Sequence, residues 1–150
     1  MSVLRGSCSE ELPSPRERCW TLVADIERAP EWQRTLERVD VRERDDQGRP
    51  VICDTVTNAK LTKIHARVRI DYDPPQRLSF TLLESDHLDA MEGGWELEDL
   101  GAQRTRATYS LAVDPGPVGL LARPLERAIR PVVMGHQAQE LGQALAAGTR

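Results

Sequence analysis

Aromatic side chains are scarce in this chain: three tryptophans, two tyrosines and one phenylalanine make up 4% of its 150 residues. Any two rings that face one space therefore stand out. Cysteine is sparse as well. Cys8, Cys19 and Cys53 are odd in number and unevenly spaced, with no CxxC pair and no histidine at ligand spacing. That argues against a disulfide framework and a zinc site, and reduced thiols of a cytoplasmic protein are the expectation. Lysine occurs only at Lys60 and Lys63, and the formal net charge is −4 with a pI near 5.4. A general nucleic-acid or anionic-membrane binder needs a basic surface, so neither partner is expected. No apolar run approaches about 18 residues and no charged-then-apolar leader opens the sequence, so the expectation is a soluble, cytoplasmic chain without an integral membrane segment. Missing too are a glycine-rich phosphate loop after a strand, a metal-ligand cluster, and any serine or cysteine to which a base and an orienting acid can be assigned by spacing. No cofactor and no metal are expected.

The length suits one domain, residues 1–150, large enough for a hydrophobic core. Residues 3–12 read as a modest first strand, weakened by Gly6. Ser14-Pro15-Arg16-Glu17 is a helix start in which Ser14 caps, Pro15 takes the first helical position and Glu17 completes a capping box. Cys19, Leu22, Val23 and Ile26 share one face of that helix, with Trp20 beside them, and Pro30 is expected to end it. Glu31-Trp32 opens a short helical turn. The period then becomes two, and residues 36–44, 51–59, 61–72, 77–84, 88–98 and 103–113 read as strands. Turn material separates several of them, at Asp45 to Gly48, Asp73-Pro74-Pro75 and Asp99-Leu100-Gly101. Short links imply an antiparallel meander. Alternation is clearest at Ile64, Ala66, Val68, Ile70 and Tyr72, against His65, Arg67, Arg69 and Asp71.

Residues 117–147 read as one long helix. Val118, Leu121, Leu125, Ile129, Val132, Val133, Leu141 and Leu145 recur at three- and four-residue steps, while Arg123, Glu126, Arg127, Arg130, Gln137, Glu140 and Gln143 take the other face. Pro124 and Pro131 predict a bend or break in its first half. The fold class expected is α+β: a strand, two short helices, six strands, then the long helix.

That order, with Trp20 in the first helix and Pro30-Glu31-Trp32 just before the meander, resembles the START-like helix-grip superfamily (SRPBCC), in particular its polyketide cyclase/dehydrase and coenzyme-Q-binding-protein-like branch. Residues 78–95, a strand, a turn and a glycine-containing strand, are similar to the family pattern as well, and the resemblance spans residues 3–147. It implies a curved seven-stranded antiparallel sheet gripping the long C-terminal helix, with a mostly apolar cavity between them. Its members bind lipids, quinones, sterol-like molecules or polyketide intermediates, a minority are enzymes, and others act as protein partners.

The resulting expectation is a binder of a small hydrophobic molecule. A polyketide cyclase/dehydrase is the enzymatic alternative, and a protein-interaction module the third. Ligand contacts are expected from Trp32, Cys53, Ile70, Tyr72, Phe80, Trp95 and Tyr109 on the sheet side. Ile129, Val133 and His136 supply them from the helix. For proton transfer the candidates are His136 on the edge of the helical stripe, Tyr109, and Glu84, which continues the inward parity of Phe80 and Leu82. Each has a plainer structural reading: the rings and Cys53 as core, Glu84 and His87 as solvent-facing. His65, Arg67 and Arg69 read as a solvated strand face paired with acids, and Gly93-Gly94 as a bulge or close backbone approach. The resemblance asks an aromatase/cyclase for an arginine inside the cavity, whereas the arginines of residues 64–72 point outward.

Overall fold

The alternation of residues 64–70 is expressed as burial. Ile64, Ala66, Val68 and Ile70 are covered, His65 and Arg69 stand in water, and Arg67 is half-buried. Their strand belongs to a seven-stranded antiparallel sheet in the computed structural model, which describes residues 3–59, 63–115, 133 and 135–147. The strands are β1 (Leu4–Leu12), β2 (Leu36–Arg44), β3 (Pro50–Asn58), β4 (Lys63–Asp73), β5 (Arg77–Ser85), β6 (Ala90–Gly101) and β7 (Arg104–Asp114). They lie in the order β1-β7-β6-β5-β4-β3-β2. From β3 to β7 each strand is its predecessor's neighbour, as short turns dictate. β1 pairs with β7, Leu4 opposite Val113 and Leu12 opposite Thr105.

β1 and β2 are therefore the two edges, and the chain between them must cross the sheet. It does so through α1 (Arg16–Val23) and a 3-10 segment (Ile26–Glu31). α1 packs against β6 and β7, and the 3-10 segment against β2. The helix start differs from the capping box expected. Pro15, in extended conformation, is the N-cap, with no side-chain cap. Ser14 is buried instead, and its carbonyl accepts a hydrogen bond from Thr105 Oγ1 at 2.7 Å. α1 is thus pinned to β7 rather than closed on itself. It ends at Val23, well before Pro30, which lies inside the 3-10 segment.

The last described helix, α2 (Gln137–Ala146), packs against β1, β7 and α1. Residues 116–132 and 134, with Ile129, Pro124 and Pro131, lie outside the described residues. Gly135 and His136 are not helical. The expectation of one helix through to residue 147 is corrected accordingly: α2 starts afresh at Gln137 and buries Gln137, Ala138, Leu141 and Leu145. Arg18 donates to the Leu145 carbonyl at 3.3 Å near its C-terminal end. On its N-terminal side the chain lies close on β1, for a Cβ added to Gly6 would sit 2.3 Å from the Val133 carbonyl oxygen. Gly6 is the residue that permits this approach. A sheet carrying its C-terminal helix in this way is the helix-grip arrangement. Among the described residues no helix is long and apolar enough to cross a membrane.

Two local departures bear on side-chain direction. Val68 pairs with Leu82 but Arg67 pairs with Glu84, so β5 carries one extra residue, Leu83. The bulge reverses the parity beyond it. At the β6–β7 hairpin the strand continues through Gly101, and Ala102 and Gln103 form the turn with φ of 54° and 63°. The turn expected at Asp99 to Gly101 is therefore displaced by two residues.

Candidate functional site

A cavity of about 130 Å³ lies between the sheet and its helical cover. Inward parity builds its floor: Val68 and Ile70 from β4, Leu78 and Phe80 from β5, Trp95 from β6 and Tyr109 from β7. Val23, Ile26, Ala29 and Gln137 close it from above, and Leu36, Val39, Gln33 and Thr35 border it on the β2 side. Four of the chain's six aromatic rings form a continuous series beside it. Trp32 stands 5.9 Å from Trp95, Trp95 5.0 Å from Tyr109, and Phe80 6.3 Å from Tyr109, between ring centroids. Gly93 makes room for the last of these, since a Cβ there would lie 3.0 Å from Phe80 Cζ and 2.3 Å from the Ser110 carbonyl oxygen.

One end of the cavity is polar. Tyr109 sits opposite Cys8 across the β1–β7 ladder, and Cys8 Sγ lies 3.8 Å from Gln137 Oε1. Gln137 is buried at the start of α2. Glu140, three residues on, shares its side of the helix. The Glu140 side chain is only 12% exposed, and its Oε2 accepts the backbone N–H of Arg34 at 3.2 Å, with Arg34 Nε at 4.0 Å. α2 is thereby tied to the loop bordering the cavity. Burial raises the Glu140 carboxyl above the usual carboxylate range, opposed by the Arg34 amide and guanidinium and by His136. Burial likewise raises the Tyr109 phenol, with Cys8 and Glu140 adding to it. The phenol is thus a neutral hydroxyl facing an apolar space, and no described residue hydrogen-bonds to it. Such a site can enclose an apolar body and direct one polar atom to the Tyr109 end.

A family model described as polyketide cyclase/dehydrase and lipid transport matches residues 12–135. The chain belongs to this polyketide cyclase/dehydrase and lipid transport family. Solved structures agree on the fold. A START superfamily protein from Mycobacterium smegmatis superposes with a TM-score of 0.76 at 21% identity, covering 97% of this chain and 99% of that one. A protein from Thermus thermophilus gives 0.77 at 22%, with the same coverage. An aromatase/cyclase from a Streptomyces species gives 0.72 at 16% identity, covering 99% of each chain. Identities this low carry the fold alone. No curated protein sequence matches significantly.

In this member of the polyketide cyclase/dehydrase family the residues singled out from sequence fall into three groups. Ile70, Phe80, Trp95 and Tyr109 line the cavity. Trp32 backs onto Trp95, and its Nε1 is buried without a hydrogen-bond partner. Val133 is buried over β1, and Cys53 is fully buried, its thiol pushed up to about 11 by burial. Neither is among the residues lining the cavity. Tyr72 is engaged elsewhere: its hydroxyl donates to the Pro50 carbonyl at 2.5 Å, Arg49 lies 4.7 Å over its ring and Trp20 meets it edge-on. Two positional readings are corrected. Glu84 faces solvent because the bulge at Leu83 turns it to the side of Arg67. His136 is exposed at the N-cap of α2 rather than on an apolar helical stripe. Ile129 lies outside the described residues.

Arg67 is held by Asp54 through bonds of 2.8 and 3.3 Å, and Arg69 lies 3.4 Å from Asp71. This basic row is largely balanced by its own neighbours. His87 is half-buried, its ring stacked 6.5 Å from that of His65.

Polarity alone places Gln137 and Glu140 on the wet face. Gln137 nevertheless lies four residues after Val133 and four before Leu141, on the apolar step itself, and that spacing was the available signal. Nothing in the sequence pairs Glu140 with Arg34.

Proposed function

We propose that this chain binds a small, predominantly apolar molecule between the sheet and its helical cover. The observation that carries the reading is the mainly apolar space of about 130 Å³ between the sheet and the helical segments above it. An apolar cavity of roughly 150 Å³ stays dry and accepts a benzene-sized guest. Pockets for drug-sized ligands begin near about 300 Å³. A single-ring compound therefore fits the cavity as it stands, and a lipid, quinone or polyketide-like chain requires the cover to move outward.

Native mass spectrometry and thermal-shift measurements with single-ring, quinone and lipid panels test the proposal. Leu36→Trp supplies the control, because Leu36 is half-buried at the cavity border and a larger side chain there occupies the space. The wild type should gain thermal stability with at least one class, and the variant should lose that gain while staying folded. No shift with any class would end the binding reading.

A polyketide aromatase/cyclase is the second reading. Favouring it, Tyr109 brings a phenol to the cavity lining, and relatives of this fold include aromatase/cyclases. Against it, no arginine among the described residues lines the cavity, and Arg123, Arg127 and Arg130 lie outside those residues. Turnover of a poly-β-ketone surrogate, lost on Tyr109→Phe, would favour the enzyme over the binder.

A further inference from the structure

The outer face of the sheet, away from the cavity, carries an order of charge that reverses from one half to the other. The strand registers align one outward residue from each of the seven strands in a single row. Arg5 pairs with Ala112, Ala112 with Glu92, Glu92 with Thr81, Thr81 with Arg69, Arg69 with Ile52, and Ile52 with Glu43. Thr81 is the centre of the row, because β5 is the middle strand. One strand to either side stand Glu92 and Arg69, two strands away Ala112 and Ile52, and three strands away Arg5 and Glu43. At every step the two halves are opposites, in charge or in size. The four charged members are all exposed. The Ala112 half is also recessed, for Ser7, Ser79, Ser110 and Ala112 border an open trough of about 670 Å³.

A two-fold axis laid along β5 through Thr81 turns this row onto itself with its ends exchanged. Arg69 of one copy then faces Glu92 of the other, Ile52 faces the recess at Ala112, and Glu43 faces Arg5, each contact being made twice. The rotation keeps facing strands aligned, the relation in which two sheets pack face to face. The short side chain of Thr81 at the centre allows the sheets to approach to the roughly 10 Å of such packing. Arg69 Nε lies 3.4 Å from Asp71 and its side chain is 54% exposed, so its remaining guanidinium donors can serve a second carboxylate. An axis running across the strands would instead set Arg69 on Arg69 and Glu92 on Glu92, so the row accepts one orientation and rejects the other.

We propose that the outer face of the sheet pairs with the same face of a second copy of this chain, about a two-fold axis along β5, with Arg69 and Glu92 as reciprocal ion pairs. Exposed ion pairs hold it, so the dimer is weak and salt-sensitive. It uses the face opposite the cavity and does not depend on what the cavity binds.

Sedimentation equilibrium over a concentration series at low ionic strength tests the pairing, in the wild type, Arg69→Glu, Glu92→Arg and the double exchange. Circular dichroism checks that each variant is folded. The wild type should dimerise and should dissociate as salt is raised. Each single variant sets like charges opposite one another twice and should weaken dimerisation at least about tenfold. The double variant should recover it, because the exchange restores the complement. An equimolar mixture of the two single variants should recover it as well, as a heterodimer, which requires position 69 of one copy to meet position 92 of the other. A wild type that stays monomeric up to about 1 mM, the weak end of specific association, would overturn the proposal. So would a dimer that neither single variant weakens, or single variants that fail to complement each other on mixing.

Discussion

Glu140 Oε2 lies 3.2 Å from the backbone nitrogen of Arg34, a residue 106 positions away in the sequence. The bond joins the final helix to the loop that borders the cavity on the β2 side. It is made by a carboxyl whose pKa burial has raised, so its ionisation opposes folding. A group with a raised folded pKa contributes most below its unfolded pKa, and that contribution falls as pH rises through the folded value. Glu140→Gln keeps an acceptor for the Arg34 amide and removes the charge. Urea midpoints should coincide for variant and wild type near pH 3, where both side chains are neutral, and the variant should become the more stable by pH 7. A difference independent of pH would remove the carboxyl as its source.

Gly6→Ala should cost about 1 to 3 kcal/mol, the range for forced overpacking. The added methyl meets a backbone carbonyl, that of Val133, which cannot swing aside as a flexible side chain does. Equilibrium denaturation measures the loss, and an unchanged midpoint would mean that the two segments are not held this closely.

Thiol chemistry should distinguish the three cysteines. Burial raises both Cys19 and Cys53, the latter to about 11, and both are fully covered. Cys8 is partly exposed. With a disulfide reagent at pH 8, a single thiol should react readily in the native protein and three in denaturant. Fast native modification of Cys53 would contradict the packing around it.

The β6–β7 turn leaves stability to be gained. Ala102 and Gln103 both occupy left-handed backbone without being glycine or asparagine. Replacing them by Asn-Gly, the preferred pair for two central residues at positive φ, should stabilise by about 1 kcal/mol. A thermal melt would record the rise, and a fall would show that these side chains contribute contacts elsewhere.

All seven strands were legible from period-two alternation to within three residues at either end, because one face is dry and the other wet along most of their length. What escaped was what single positions decide. An inserted Leu83 leaves no trace in composition yet reverses Glu84. Ala102 and Gln103 give no turn signal, so the hairpin was placed two residues early. Ser14 has the chemistry of a cap, but its buried carbonyl receives Thr105 and the cap goes unmade. Gln137 was readable by spacing and hidden by polarity. The pairing of Glu140 with Arg34 depends on the assembled fold, and no local pattern anticipates it.

The near-contact of Gly6 with the Val133 carbonyl fixes the spacing between β1 and the chain entering α2, because main chain resting on main chain leaves no rotamer to change. The first strand and the last helix, distant in sequence, are thereby registered to one another by a single residue without a side chain.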